Sequence, residues 1–181
     1  MTVCEFAPVR ATVRDGRSVT IRSIRSDDAA AIQTAFVQLS REARYSRFMA
    51  PLNNLPPAML KRAVQPAAAR ELALVAVAGD GADEIVVGGA RYVRGSDDHT
   101  CEFAVTVGDD WRAAGLGSRM LKELILDAQA RGFKRMEGYV LAANAPMLRL
   151  ARRLGFEAAA SDEGPSVKLV HLDLARGGAG T

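Results

Sequence analysis

Hydrophobic and polar positions follow several different periods along this chain of 181 residues. Stretches with strand-like patterns cover residues 19–24, 72–77, 85–93, 99–107, 135–141, 156–160 and 167–174. Between residues 116 and 128 the apolar side chains instead recur every three or four positions, which is the period of an amphipathic helix. That stripe consists of Leu116, Met120, Leu121, Leu124, Ile125 and Ala128. The pattern predicts a sheet and a helix over about residues 115–131 whose apolar stripe covers it.

Capping and breaking residues indicate further helices in the first half of the chain. Ser26 precedes two acidic residues, Asp27 and Asp28, a combination typical of a helix N-terminus. Ser40 begins a second helical signal, which Pro51 ends because proline cannot continue a helix. The predicted helices cover residues 29–39, 41–49 and 55–65, and residues 1–17 are predicted to be irregular.

The second of these helices has a mixed aromatic and basic surface. It carries Arg44, Tyr45, Arg47 and Phe48 within five positions. Charged faces of helices are usually solvated. We therefore interpret it as a helix docked on the sheet with its arginines in solvent.

Turn signals separate the elements of the second half. Residues 79–83 combine glycines with aspartates and predict an antiparallel hairpin between the strands on either side. Asn144 or Ala145 caps a helix with Pro146 in its first turn, and Gly155 ends that helix. The predicted fold class is α+β in three layers, with helices on both faces of a central sheet. Residues 18–174 form one domain in this interpretation, and residues 175–181 a flexible tail.

Composition is consistent with one domain and excludes several classes of protein. A hydrophobic content of 49% over this length suffices for a continuous core without disulfides or metals. Cys4 and Cys101 are too few for a disulfide scaffold, and neither lies in a Cys-x-x-Cys pair, so no metal or redox centre is expected. Both are expected to be intracellular thiols.

Charge and hydropathy argue against nucleic acid and membranes as partners. The formal net charge is only +3, and basic residues are interleaved with acidic ones rather than gathered in one tract. No run of about 18 apolar residues exists, and the first ten residues lack the apolar core of a secretion signal. We expect a cytoplasmic protein.

A glycine-containing loop lies between the predicted strand ending at Val107 and the long helix. It carries Arg112, Gly115 and Gly117. Backbone N–H groups at a helix N-terminus lack intrahelical acceptors, and glycine allows a ligand to approach them, so this order of elements favours a phosphate site. Neither a dinucleotide fingerprint nor a P-loop fits, because Met120 replaces the third glycine and no lysine precedes Ser118.

Together these motifs resemble the GNAT superfamily of acyl-CoA-dependent N-acyltransferases. The resemblance is carried by the strand ending Val-x-Val, the segment Arg112-Ala-Ala-Gly-Leu-Gly117, Asn144, and the helix ending Leu154-Gly-Phe156. It covers roughly residues 19–174 in element order and matches the family's Gln/Arg-x-x-Gly-x-Gly/Ala loop. It implies a mixed, mostly antiparallel central sheet.

The resemblance implies acetyl-CoA as co-substrate and assigns residues to it. The pyrophosphate would lie on the loop amides of Arg112, Ala113, Ala114, Gly115, Leu116, Gly117 and Ser118. The pantetheine arm would pair with the backbone of Val105, Thr106 and Val107 where the strands splay at Val105 and Tyr139, and an N–H near Val105 could polarise the thioester. Asn144 would bind the pantetheine or cap its own helix. No metal is implied.

One carboxylate is the candidate catalytic group. Glu102 lies on the strand of the cofactor residues, at the position where similar enzymes have a glutamate base, and Glu137 is a second candidate. The tyrosine acid that many relatives place three residues before Leu-Gly-Phe is replaced by Ala151. Cys101 points to the opposite face of the strand from Glu102, which argues against a cysteine nucleophile.

Residues 22–28, 39–48 and 101–111 resemble the acetyltransferase domain of bacterial Pat-type protein-lysine acetyltransferases. These often carry regulatory or acyl-CoA-synthetase-like regions, and we recognise none in this sequence. The resemblance implies direct acetyl transfer in a ternary complex to a protein lysine ε-amine. The alternatives are N-acetylation of a small amine or amino acid and a non-catalytic acyl-CoA sensor. The sequence leaves a homodimer open.

Overall fold

The computed structural model of the protein describes residues 5–175. The strands are β1 Val9–Thr12, β2 Ser18–Ser23, β3 Glu71–Ala78, β4 Ile85–Arg94, β5 Thr100–Val107, β6 Arg135–Leu141, β7 Glu157–Ala160 and β8 Val167–Asp173. The helices are α1 Ala29–Gln38, α2 Arg41–Phe48, α3 Pro57–Val64, α4 Leu116–Ala130 and α5 Ala145–Arg153. Within the described part of the chain, the strands form one sheet in the order β1-β2-β3-β4-β5-β6-β8-β7.

The sheet confirms the predicted fold class. Every neighbouring pair is antiparallel except β5 and β6, which are parallel. Predicted and observed element ends differ by one or two residues, as expected where helix and strand ends fray. Cys4 and residues 176–181, the greater part of the predicted tail, lie outside the described residues.

The prediction that residues 1–17 are irregular was wrong for Val9–Thr12. This segment pairs with β2 as an antiparallel hairpin, in the register Val9↔Ile21 to Thr12↔Ser18. Val13 and Val19, on either side of the turn, are buried. Four residues give too short an alternation to read from sequence, and the strand exists because β2 offers it a hydrogen-bonding edge.

Helices cover the two faces of the sheet, as predicted. Successive strand residues point to opposite faces, so the side chains of Tyr92 and Arg91 of β4 lie on different faces of the sheet. The Tyr92 hydroxyl donates to Asp127 of α4, whereas Arg91 lies near Arg47 of α2. The α4 residues Leu116, Met120, Leu121, Leu124 and Ala128 are fully buried, and Ile125 is partly buried against the same core.

The strands β5 and β6 separate part-way along their length. They pair at Thr100↔Arg135, Cys101↔Met136 and Glu102↔Glu137, and the pairing ends there. β5 continues on β4 as far as Val107, and β6 continues on β8 as far as Leu141. Residues 103–107 therefore have one unpaired backbone edge, which faces the opening between β5 and β6. We call this opening the fork.

Candidate active site

The loop between β5 and α4 is built to leave amide groups free. A 3₁₀ turn, Asp109–Trp111, buries the Trp111 ring and turns the chain towards the helix. Gly115 is the N-cap residue of α4 with φ of +88°, a left-handed conformation that favours glycine, and Ala113 also has positive φ. No acidic side chain occupies the first turn of α4. The first amides of α4 are thus open to an external anion.

A groove of about 690 Å³ connects this loop with the fork. Its lining includes most of the residues predicted to bind the cofactor, namely Val105, Thr106, Val107, Arg112, Ala113, Gly115, Leu116, Gly117, Ser118 and Asn144. Ala114 is buried behind the loop, and its carbonyl oxygen accepts a hydrogen bond from the Arg14 amide. A separate cavity of about 250 Å³ lies between α5 and the pair β7–β8.

Gly117 lets the strand and the helix approach each other. A Cβ atom at this position would lie 3.4 Å from side-chain atoms of both Val107 and Leu150. Val105 and Val107 thus pack against the start of α4 with their side chains, which leaves their backbone edge for another partner. The Oδ1 atom of Asn144 accepts from the Met147 amide at 3.2 Å, which is the capping role left open above.

Glu102 lies at the fork, in the last pair before the strands part. The next two residues, Phe103 and Ala104, line the groove. Glu102 lies beside the groove, and its side chain reaches solvent. Partial burial raises the pKa of this carboxyl, and the nearby carboxylates of Glu137 and Glu163 raise it further, while the Arg47 cation opposes them. A carboxyl with a raised pKa is better suited to accept a proton near neutral pH.

Arg47 was not identified from the sequence, and the interpretation that the α2 arginines are in solvent was wrong for it. It is half-buried, lines the groove, and has no hydrogen bond or ion pair within residues 5–175. Burial lowers its pKa to about 10. Ala43, four residues earlier on α2, is buried. That spacing places Arg47 on the inner face of the helix and was the available signal.

Arg14 was also missed, because its position depends on the hairpin β1–β2. It lies at the hairpin turn and lines the groove beside the loop. Its side chain approaches Gly115, with Nε 3.4 Å from the place a Cβ would occupy there. No local pattern indicates this contact, which joins residues about one hundred positions apart.

Position 151 cannot supply an acid, and Cys101 cannot supply a nucleophile. Ala151 is 1% exposed and belongs to the core below α5. Cys101 is buried on the face opposite Glu102, as predicted, and burial together with Glu137 and Asp127 raises the pKa of its thiol to about 12. Tyr139 of β6 lines the groove, and burial and nearby carboxylates raise the pKa of its hydroxyl.

Metal ligands and membrane spans are not features of the described chain. Among residues 5–175, no group of three or more His, Cys, Asp or Glu side chains could hold a metal ion. None of the helices in that range is long and apolar enough to cross a membrane.

Comparison with known proteins gives a consistent result. The family model of the acetyltransferase (GNAT) domain matches residues 18–157 of this sequence. An acetyltransferase of Pseudomonas aeruginosa is 31% identical over 157 residues, which cover 87% of this chain and 84% of that protein. The acetyltransferase Pat of Mycolicibacterium smegmatis is 31% identical over 151 residues, covering 83% of this chain and 44% of Pat. The crystal structure of the GNAT domain of S. lividans PAT superposes with a TM-score of 0.85 at 25% identity, covering 93% of this chain and 99% of that domain.

Proposed function

Because the chain belongs to the GNAT family of acetyltransferases, whose acetyl donor is acetyl-CoA, we propose that it transfers the acetyl group directly to the ε-amine of a protein lysine. The observation that carries this proposal is the fork between β5 and β6. It combines an unpaired backbone edge, an anion-binding loop at one end and a carboxylate with a raised pKa at the other.

The cofactor would lie along the groove from the loop to the fork. Its diphosphate would accept hydrogen bonds from the first amides of α4, between Gly115 and Ser118. Its pantetheine amides would pair with the free edge of β5 at Val105 and Val107, as an added strand does. The acetyl thioester would then reach the fork, where a backbone N–H near Val105 would polarise its carbonyl.

Glu102 would act as the base for the incoming amine. A lysine amine has a reference pKa of about 10.4, so roughly one in a few thousand is neutral at pH 7. Removing a proton from the amine as its nitrogen bonds to the thioester carbon avoids a cationic intermediate. The carbon–sulfur bond then breaks, and CoA leaves as a thiolate with a reference pKa of about 8.5, which solvent can protonate.

Charge around the fork favours a cationic acceptor. Glu102, Glu137, Asp162 and Glu163 are close enough to raise the pKa of the Tyr139 hydroxyl. Carboxylates gathered at one mouth of a groove attract positively charged substrates. A lysine side chain fits that requirement, and the resemblance to Pat-type protein-lysine acetyltransferases, with relatives that carry the name Pat, supports a protein as its carrier.

Incubation with acetyl-CoA and a panel of proteins and free amines, followed by intact-mass measurement, tests the proposal. Acetylated protein is the expected result. Acetylation of small amines alone would replace it with a small-molecule acetyltransferase, and acetyl-CoA binding without any product would replace it with an acyl-CoA sensor.

The Glu102→Gln variant tests the base. We expect kcat/KM to fall about a hundredfold near neutral pH, while the Kd for acetyl-CoA stays within about twofold. Glu157→Gln, the same change at an exposed carboxylate on the edge strand β7, is the matched control and should retain full activity. A Glu102→Gln enzyme with the pH–rate profile of the wild type would remove Glu102 as the base.

A further inference from the structure

The hairpin formed by β1 and β2 is attached to the loop before α4. The Arg14 amide donates to the Ala114 carbonyl at 2.9 Å. The Arg17 guanidinium donates to the Asp110 carbonyl at 2.7 Å and stacks over the Trp111 ring, 3.7 Å from its centroid. These contacts hold the hairpin turn at the end of the groove where the amides of α4 are free.

The Arg14 side chain lies beside Gly115, the N-cap residue of α4. Its Nε, Cγ and Cδ atoms are 3.4, 3.7 and 3.8 Å from the Cβ position that a residue larger than glycine would have at 115. The side chain is exposed and lines the groove. A ligand seated on the first turn of α4 would therefore meet the Arg14 guanidinium as well as the backbone.

The charge of Arg14 is uncompensated, unlike that of its neighbours. Arg17 pairs with Asp15 at 2.6 Å, Arg112 with Asp109 at 2.8 Å, and Arg10 with Asp80 at 3.1 Å. Within residues 5–175, the Arg14 guanidinium has no hydrogen bond and no carboxylate partner. Of the arginines at the hairpin turn and in the loop, Arg14 is thus the one whose charge is fully available to an anion.

We propose that Arg14 binds the diphosphate of the cofactor, so that the hairpin and the α4 N-terminus hold it from two sides. The inference rests on the proposed function, which places a diphosphate on the loop amides. Those amides supply dipoles but no net charge, and Arg112 shares its charge with Asp109. A guanidinium with free N–H groups can donate two parallel hydrogen bonds to phosphate oxygens.

Equilibrium binding of acetyl-CoA and of 3′-dephospho-acetyl-CoA to Arg14→Gln tests this assignment. We expect Kd to rise by about tenfold for both ligands, because one charge-assisted contact is lost and the diphosphate is common to them. Arg14→Lys, which keeps the positive charge but lacks the planar guanidinium group, should recover part of the affinity. Arg10→Gln, an exposed arginine of the same hairpin paired with Asp80, is the matched control and should bind like the wild type.

Turnover of S-acetylpantetheine separates binding from chemistry. This donor lacks the diphosphate, so Arg14→Gln and wild type should use it equally well. Unchanged affinity of Arg14→Gln for both nucleotides would overturn the assignment, and so would a loss confined to acetyl-CoA, which would move Arg14 to the 3′-phosphate. Failure of the wild type itself to bind acetyl-CoA would instead refute the proposed function on which this assignment rests.

Discussion

Two neighbours of opposite effect surround the proposed base. Partial burial raises the pKa of Glu102. Glu137, its partner in the last residue pair between β5 and β6, raises it further, and Arg47 from α2 lowers it. Burial and Glu137 together outweigh Arg47, so the net direction is upward. Besides burial, the protonation of Glu102 therefore depends on a carboxylate from the neighbouring strand and a cation from a helix.

Substitution of these two neighbours should move the pH dependence in opposite directions. The logarithm of kcat/KM should climb steeply below the pKa of Glu102, where both the carboxyl and the amine must lose a proton, and less steeply above it. Glu137→Gln removes a negative charge, lowers that pKa and shifts the change of slope to lower pH. Arg47→Gln removes a positive charge and shifts it to higher pH. If the change of slope moves in the same direction in both variants, or does not move in either, the measured pH–rate profiles contradict its assignment to Glu102.

The fork depends on how β5 and β6 pack at the point where they part. A Cβ atom at Gly138 would lie 2.7 Å from the Phe103 ring, closer than real contacts of this kind. The Phe103 ring also packs on Phe156, with centroids 5.1 Å apart, which limits its freedom to move. Absence of a side chain at position 138 thus makes room for the ring that fills the start of the fork.

Gly138→Ala should therefore destabilise the protein by overpacking. We expect a loss of about 1–3 kcal/mol and a fall in Tm of roughly 2–4 °C per kcal/mol for a domain of this size. Gly89→Ala on β4 is the matched control, because a Cβ there would meet nothing closer than 3.8 Å. Thermal unfolding followed by circular dichroism measures both, and equal Tm values for the two variants would contradict the packing argument.

A buried ionic cluster joins distant parts of the molecule. The Arg22 guanidinium on β2 donates to both carboxylate oxygens of Asp28, at 2.8 and 2.9 Å, and to Glu84 before β4, at 2.9 Å. The side chains of Arg22 and Asp28 are 6% and 8% exposed. Burial alone would raise the pKa of Asp28, but the hydrogen bonds from Arg22 and the Arg25 amide outweigh it and hold it below its usual value.

Asp28→Asn should be strongly destabilising, since it leaves Arg22 buried without its bidentate partner. Breaking a buried pair in this way costs about 3–5 kcal/mol. The contribution of a carboxyl with a lowered pKa is complete above its unfolded pKa of about 3.9 and is lost as the pH falls through the folded value.

The difference in unfolding free energy between wild type and Asp28→Asn should consequently be constant above about pH 5 and narrow on acidification. Asp27→Asn, the same change at the exposed neighbour, should match wild type throughout. Denaturant unfolding at several pH values provides the measurement, and a difference that widens towards acid would refute the linkage.

Much of the fold and part of the site follow from local patterns. Apolar periods located all but the first strand, and the alternation of side chains along β5 placed Glu102 and Cys101 on opposite faces, which the structure confirms. The loop 112–118 was recognisable because its glycines and the following helix are contiguous in sequence. The contribution of Arg14, which reaches the site from the hairpin β1–β2, left no such signal, and for Arg47 the local signal was its four-residue spacing from the buried Ala43.

The sequence by itself determined the order of the elements, the family resemblance and the identity of the candidate carboxylate, because backbone propensity and side-chain alternation are properties of neighbouring residues. Only the tertiary structure decided that β1 forms a strand, that Glu137 and Arg47 flank Glu102, and that Arg14 reaches the loop. These are contacts between segments far apart in the chain, and they depend on strand register and helix packing that no short stretch of sequence encodes.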